Sequence, residues 1–254
     1  MTGTDARDRT GGAARQPPGA VSLTRALIDA RHPVAPPPEP SAWPDLGADA
    51  IRASLEATLA RHPRHHDLWV FGYGSLTWHP EMDAAEHRVA TVLGWHRRFC
   101  LWQWRSRGTR ERPGLMLALD RGGTCVGVAY RLTGPRLEDK LTRVWEREMR
   151  GNGYRPRWVT LRAGTSPTRG ITFVVNRGGE RYAGRLDEVE TARHIAGACG
   201  SKGASAEYLR RLVLTLEGMG IRDPHVWRLQ HLVADACRTD LAGPAPVTPT
   251  AARE

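Results

Sequence analysis

The chain has 254 residues, 40% of them hydrophobic, and a formal net charge of +10 from 37 Lys and Arg against 27 Asp and Glu. That length admits one large domain or two small ones, and the apolar share supplies one sizeable core while falling below the usual globular level, so poorly apolar segments are expected. No run has the length and apolarity of a membrane-spanning helix, the leading MTGTDARDRTGGAARQ lacks the apolar centre of a secretory signal, and Cys100, Cys125, Cys199 and Cys237 are too dispersed for a zinc knuckle or a dense disulfide framework. Reduced thiols in a cytoplasmic protein fit this usage best.

Residues 1–20 are rich in Gly, Ala and Arg without apolar periodicity and are expected to be disordered. A short helix is expected over 21–30. PVAPPPEPSAWP, 33–44, is a linker that can hold neither a helix nor a central strand. Ile51, Leu55 and Leu59 recur at spacing four and predict an amphipathic helix over 49–61. The run RHPRHHD, 61–67, holds three histidines. Adjacent His65 and His66 cannot share one helix face and have no Cys or Glu nearby, so a solvated linker is expected rather than a metal site.

From Leu68 the pattern is strand-rich. Trp69, Val70 and Phe71 predict a buried strand that ends in Gly72-Tyr73-Gly74-Ser75 before apolar residues resume at Leu76. Residues 89–100 read as strands around Gly94, and 114–120 and 126–132 as a hairpin turning at Arg121-Gly122-Gly123-Thr124. A helix is expected over 135–150, with Pro135 in its first turn and Gly151 and Gly153 ending it. Strands follow over 157–162 and 171–175, then helices over 191–196, 205–219 and 225–237, with a small-residue connector at 197–203. The expected organisation is an N-terminal extension over 1–47, a folded domain over 48–240 and a loose tail over 241–254.

Two features carry chemistry. The glycines of the GYGS turn let the main chain approach a ligand closely, so that several backbone N–H groups can converge on an anion or a carbonyl oxygen. By itself the turn reads more readily as a tight connection between two strands. The second feature lies on the helix over 135–150. Its apolar stripe runs Leu137, Leu141, Val144 and Trp145, and the next position of that stripe is Glu148. Burial raises a carboxyl's pKa from about 4.3 toward the range of about 6–7 that suits proton transfer near neutral pH. A purely structural ion pair, with Arg155 or Arg157, is the alternative. Glu146, flanked by Arg143 and Arg150 at helical spacing, is expected to face solvent in an ion-pair ladder. There is no G-x-S-x-G, no H-E-x-x-H and no G-x-x-x-x-G-K-[ST].

In order along the chain, VFGYGSL, GLMLALDRGGTCVGVAYRL, WEREM with GYRPRW behind it, and IAGACG with AEYL resemble ChaC, the glutathione-specific γ-glutamylcyclotransferases, most closely the bacterial branch. The resemblance spans about residues 48–235. It implies an α+β fold, a small mixed β-barrel flanked by helices, and cleavage of glutathione to 5-oxoproline and Cys-Gly without cofactor or metal. It places the catalytic carboxylate at Glu148 and the substrate loop at Val70, Phe71, Gly72, Tyr73, Gly74, Ser75 and Leu76, and it adds Tyr208 as a pocket residue. The loop GACGSKGAS departs from the family pattern, which has a proline after its second glycine, and this puts contacts from Ser201 and Lys202 in doubt.

A cyclotransferase for other γ-glutamyl amines is the nearest rival. A basic nucleic-acid-binding protein is the rival from another class, prompted by the charge. The arginines are scattered and no aromatic–basic recognition motif accompanies them, so the expected partner is a small anionic substrate rather than nucleic acid or membrane. Oligomeric state is not legible.

Overall fold

The computed structural model describes residues 21–38, 45–62 and 67–239. The expected disorder at 1–20, the second half of the proline-rich linker, most of the histidine run and the C-terminal tail lie outside them. Six helices and a five-stranded barrel make up the described chain, with a two-stranded ribbon beside it. The strands are β1 (Leu68–Gly72), β2 (Glu86–Gln103), β3 (Gly114–Leu132), β4 (Tyr154–Arg162) and β5 (Pro167–Val175). They close in the order β1-β3-β2-β4-β5. All neighbours are antiparallel except β5 against β1, which pair in parallel at Trp69–Gly170 and Val70–Ile171.

The hairpin expected between 114 and 132 does not form. β3 runs unbroken through Arg121–Thr124 because β2 pairs with it on both sides of that point, Leu93 with Thr124 and Trp95 with Arg121. Gly94, Gly122 and Gly123 all take positive φ there, so the glycines bend a long two-stranded ribbon instead of reversing the chain. The true reversal is at 104–113.

Helix α3 (Leu137–Met149) starts after Arg136 in the left-handed region, two residues later than the expected start. It lays Leu141, Val144 and Trp145 against the barrel, where the Trp145 ring meets Phe173 edge-on at 5.0 Å. α2 (Ala48–Leu59) covers its other side through Ile51 and Leu55, and Trp145 Nε1 donates to Ser54 Oγ at 3.3 Å. On the opposite flank α4 (Glu188–Gly197), α5 (Ser205–Gly218) and α6 (Pro224–Arg238) form the larger apolar cluster with the barrel interior. The connector before α5 is ordered as the ribbon β6 (Cys199–Gly200) and β7 (Gly203–Ala204), tied to the 105–108 loop by Lys202 N–H donating to the Ser106 carbonyl.

The N-terminal extension is partly integrated. The short helix forms as α1 (Arg25–Arg31), capped by Thr24. Leu23 and Ile28 are buried, Leu23 N–H donates to Gln230 Oε1 at 3.0 Å, and the His32 ring bonds the Ala196 carbonyl at 2.8 Å. Residues 21–32 are thus part of the body, held by Leu23 and Ile28 in the core, by Val21 and Leu27 packed against it, and by these hydrogen bonds. Among the described residues no helix is long and apolar enough to cross a membrane, no cluster of His, Cys, Asp and Glu is arranged to hold a metal, and the four cysteines are free.

Candidate active site

β1 delivers the GYGS turn to one mouth of the barrel, and the last turn of α3 delivers Glu148 to the same place. Tyr73, Gly74, Ser75, Leu76, Glu148, Tyr154 and Tyr208 line one small cavity over a floor of Leu117 and Phe173. Its volume is about 20 Å³, room for a water molecule and little more. Of the residues anticipated for the substrate loop, Val70 and Phe71 are wholly buried in β1 and Gly72 packs against Leu76 and Tyr130; none of the three reaches the cavity.

The loop's carbonyls all turn to the protein. Tyr73 O accepts from Arg97 Nε at 2.7 Å, Gly74 O from Thr77 N–H and Oγ1 at 2.8 and 2.7 Å, Ser75 O from His79 N–H at 2.9 Å, and Leu76 O from Tyr130 Oη at 2.9 Å. With its carbonyls engaged by the protein, such a turn can offer its remaining N–H groups to a ligand, as in an anion-binding concavity. The Ser75 N–H donates to the Tyr208 hydroxyl. A Cβ on Gly74 would lie 2.9 Å from that hydroxyl and 3.2 Å from Leu117 Cδ2, so only glycine lets the loop sit this close.

Three tyrosines wall the site. Tyr73 Oη donates to Phe173 O at 2.8 Å and accepts from Leu119 N–H, and Tyr154 Oη donates to Leu117 O at 2.7 Å. The Tyr73 bonds link β3 to β5 where the two strands share a single pair, Leu119–Val174, and the Tyr154 bond ties β4 to β3. Burial pushes the Tyr208 phenol up to about 12 and those of Tyr73 and Tyr154 well above their ordinary value. All three stay neutral and serve as hydrogen-bonding walls.

Glu148 is the titrating group. Its side chain is 12% exposed, and its ion-pair partner is Arg147, with Nε 3.3 Å from Oε1. Neither Arg155 nor Arg157 takes that part: Arg155 Nε donates to Asn176 Oδ1 at 2.7 Å, and Arg157 is exposed. Burial pushes the carboxyl up to about 7, against the opposing pull of Arg147 and with a contribution from Glu81. Arg147 is shared four ways: besides Glu148 it reaches Ser75 Oγ at 2.5 Å, His79 O at 2.8 Å and Glu81 Oε1 at 3.2 Å. One guanidinium divided among two carboxylates, a hydroxyl and a carbonyl cannot fully offset both negative charges. Glu146 is exposed as expected, yet no ion pair to Arg143 or Arg150 is among those of the described residues.

Sequence reasoning passed over Tyr154, Arg147 and Arg97. Tyr154 opens the GYRPRW block, and its place on a strand starting immediately after the helix stop was the available signal. Nothing local marked Arg97.

Residues 68–236 match the ChaC-like protein family. The chain is 41% identical over 177 residues to the glutathione-specific gamma-glutamylcyclotransferase of Escherichia coli K12, covering 69% of this chain and 77% of that one. It is 32% identical over 170 residues to glutathione-specific gamma-glutamylcyclotransferase 1 of Danio rerio, covering 64% and 87%. A crystal structure of the yeast gamma-glutamylcyclotransferase specific to glutathione superposes with a TM-score of 0.61 at 22% identity, over 67% of this chain and 96% of that one, a likeness of fold. With its motifs in order, its barrel closed and its relatives matched over most of their length, the chain belongs to the ChaC family.

Proposed function

We propose that this protein is a γ-glutamylcyclotransferase that acts on glutathione, with Glu148 as its general acid–base. The observation that carries the reading is a single carboxyl with its pKa near 7, enclosed beside a glycine turn whose carbonyls are all engaged elsewhere. The names of the matched relatives support glutathione as the substrate.

A γ-glutamyl amide carries its own nucleophile, so folding the substrate brings the α-nitrogen onto the γ-carbonyl and no protein nucleophile is needed. The Glu148 carboxylate takes a proton from the α-nitrogen as its new bond to the γ-carbon forms. The same carboxyl returns a proton to the cysteinyl nitrogen as the old C–N bond breaks, releasing 5-oxoproline and Cys-Gly. N–H groups of the 73–76 loop receive the oxygen that gains charge at the γ-carbon or the glutamyl carboxylate. Ser75, Tyr73 and Tyr208 shape and polarise the walls. The cavity as it stands is too narrow for the glutamyl group, so binding displaces side chains at its mouth. Arg147, 24% exposed and bridging helix to loop, is the one placed to move. Four free thiols favour a reducing, cytoplasmic setting.

The test is direct. Incubation with glutathione should release 5-oxoproline and Cys-Gly in equal amounts, and γ-glutamyl-alanine should be turned over at a small fraction of that rate. Equal or faster turnover of γ-glutamyl-alanine would instead assign a broader γ-glutamyl amine specificity, and no 5-oxoproline from either would end the reading.

A further inference from the structure

Arg97 is an arginine of β2 with 2% of its surface exposed, and it stands outside the cavity. Each of its three guanidinium nitrogens donates to the protein. Nε donates to Tyr73 O at 2.7 Å, Nη1 to Asp223 Oδ2 at 3.0 Å, and Nη2 to Val126 O. Asp223 in turn caps α6, accepting from Val226 N–H at 3.2 Å through its other oxygen. The chain of contacts runs from the start of α6, through a buried ion pair, to one carbonyl of the substrate loop.

The other three carbonyls of that loop are satisfied by neutral groups: backbone N–H groups, a threonine and a tyrosine hydroxyl. Only Tyr73 O is held by a charge. Burying an ion pair carries a desolvation penalty that its attraction barely offsets, and a neutral donor would satisfy one carbonyl without it. The guanidinium does two things a neutral donor does not. Its planar fork, pinned by Asp223 and Val126 O, fixes the direction of the bond. Its charge also polarises the peptide it binds, which strengthens the N–H on the far side of the same unit. That N–H belongs to Gly74. The described chain has no cis peptide, so the Gly74 N–H points opposite to Tyr73 O, away from Arg97. Gly74 itself lines the cavity.

Resting on the cyclotransferase reading above, we propose that Arg97, anchored by Asp223, is a positioning residue. It sets the plane of the Tyr73–Gly74 peptide so that the Gly74 N–H meets the oxygen that gains charge as the γ-amide is attacked. Arg97 never touches substrate, and its contribution is made in the transition state. The R97K variant keeps a charge but loses the fork. D223N frees the fork while keeping a side chain that caps α6 well. Losing one oxyanion donor outright costs roughly 10²–10³ in kcat, so a misaimed donor in R97K should lower kcat by about tenfold or more, and D223N by about threefold or more. KM and the pH midpoint should stay near the parent's.

The second readout needs no substrate. In ¹⁵N–¹H spectra the Gly74 cross-peak should shift in both variants while those of Gly164 and Gly184, in remote loops, stay in place. A purely structural arginine would lower the melting temperature without this selective pattern. Either variant folded with kcat within about twofold of the parent, or with an unmoved Gly74 peak, overturns the proposal. If R97K does not fold, D223N decides by the same two readouts. A parent enzyme that released no 5-oxoproline would defeat the functional reading, whereas the Gly74 peak would still test the aim of the loop.

Discussion

Asp120 and Glu148 are both carboxylates enclosed by the fold, and their surroundings drive them in opposite directions. Asp120, on β3, has a side chain 2% exposed; Glu148, at the end of α3, has one 12% exposed. Burial pushes both up. At Asp120 the push is overcome: Arg177 donates to Oδ1 through Nε at 2.7 Å with Nη2 at 2.6 Å, Arg121 N–H donates at 2.9 Å, and Arg98 and Tyr182 donate to Oδ2 at 3.2 Å. Its pKa ends below the ordinary value. At Glu148 the only cation is one shared guanidinium, and burial prevails. An enclosed acid left short of donors keeps a raised pKa, which is what the proposed proton transfer requires; supplied with them in full, it becomes a fastener.

Four changes would break or sharpen that contrast. The largest effect is expected from E148Q, which keeps shape but cannot carry a proton; 5-oxoproline release should fall by about 10²–10⁴, while E146Q leaves it within about twofold. A normal rate in E148Q would remove Glu148 from the chemistry. D120N should do the reverse. Loss of the charge between two arginines should cost about 3–5 kcal/mol in urea unfolding, and the enzyme that remains folded should turn over normally. Equal stability would mean that Asp120 is not the fastener described.

The third change concerns pH. Glu148 holds its proton in the folded state up to about pH 7, whereas the unfolded chain gives it up near about 4.3. The folded state therefore loses stability between those values and remains penalised above them. E148Q escapes this, so relative to the parent it should gain on the order of 3 kcal/mol at pH 8 and almost nothing at pH 4. A pH-independent difference would contradict the buried, donor-poor site. The smallest effect is expected from R147Q. Removing the cation that opposes burial should move the acid limb of the kcat/KM profile to higher pH, while loss of its bond to Ser75 raises KM modestly. An acid limb that moved down would reverse the sign assigned to Arg147.

The legible parts of this molecule were those written in local period. Glu148 could be picked out because Leu141, Val144 and Trp145 set a helical stripe that the barrel buries, and α5 and α6 start and stop where spacing places them. The β1 strand and its glycine turn were likewise local. What spacing hid was long-range. Gly122-Gly123 carries the ordinary signature of a turn, and only the pairing of β2 across it makes it a bend. Tyr154 meets Leu117 and Arg97 meets Tyr73 because the barrel closes, and Arg97 meets Asp223 because α6 docks on it; these partners lie 37, 24 and 126 residues apart. Residues 21–30 read as a short helix, but nothing local marked Leu23 and Ile28 as packing into the domain core. Not all of the basic side chains face solvent: Arg97 and Arg98 are held in internal ion pairs with Asp223 and Asp120.

The central claim is a property of one carboxyl group and can be read from it. In protein labelled with ¹³C at glutamate side chains, the Cδ resonance of Glu148, assigned by its disappearance in E148Q, should titrate with a midpoint of about 7. A midpoint in the ordinary carboxylate range, near about 4.3, would contradict the account.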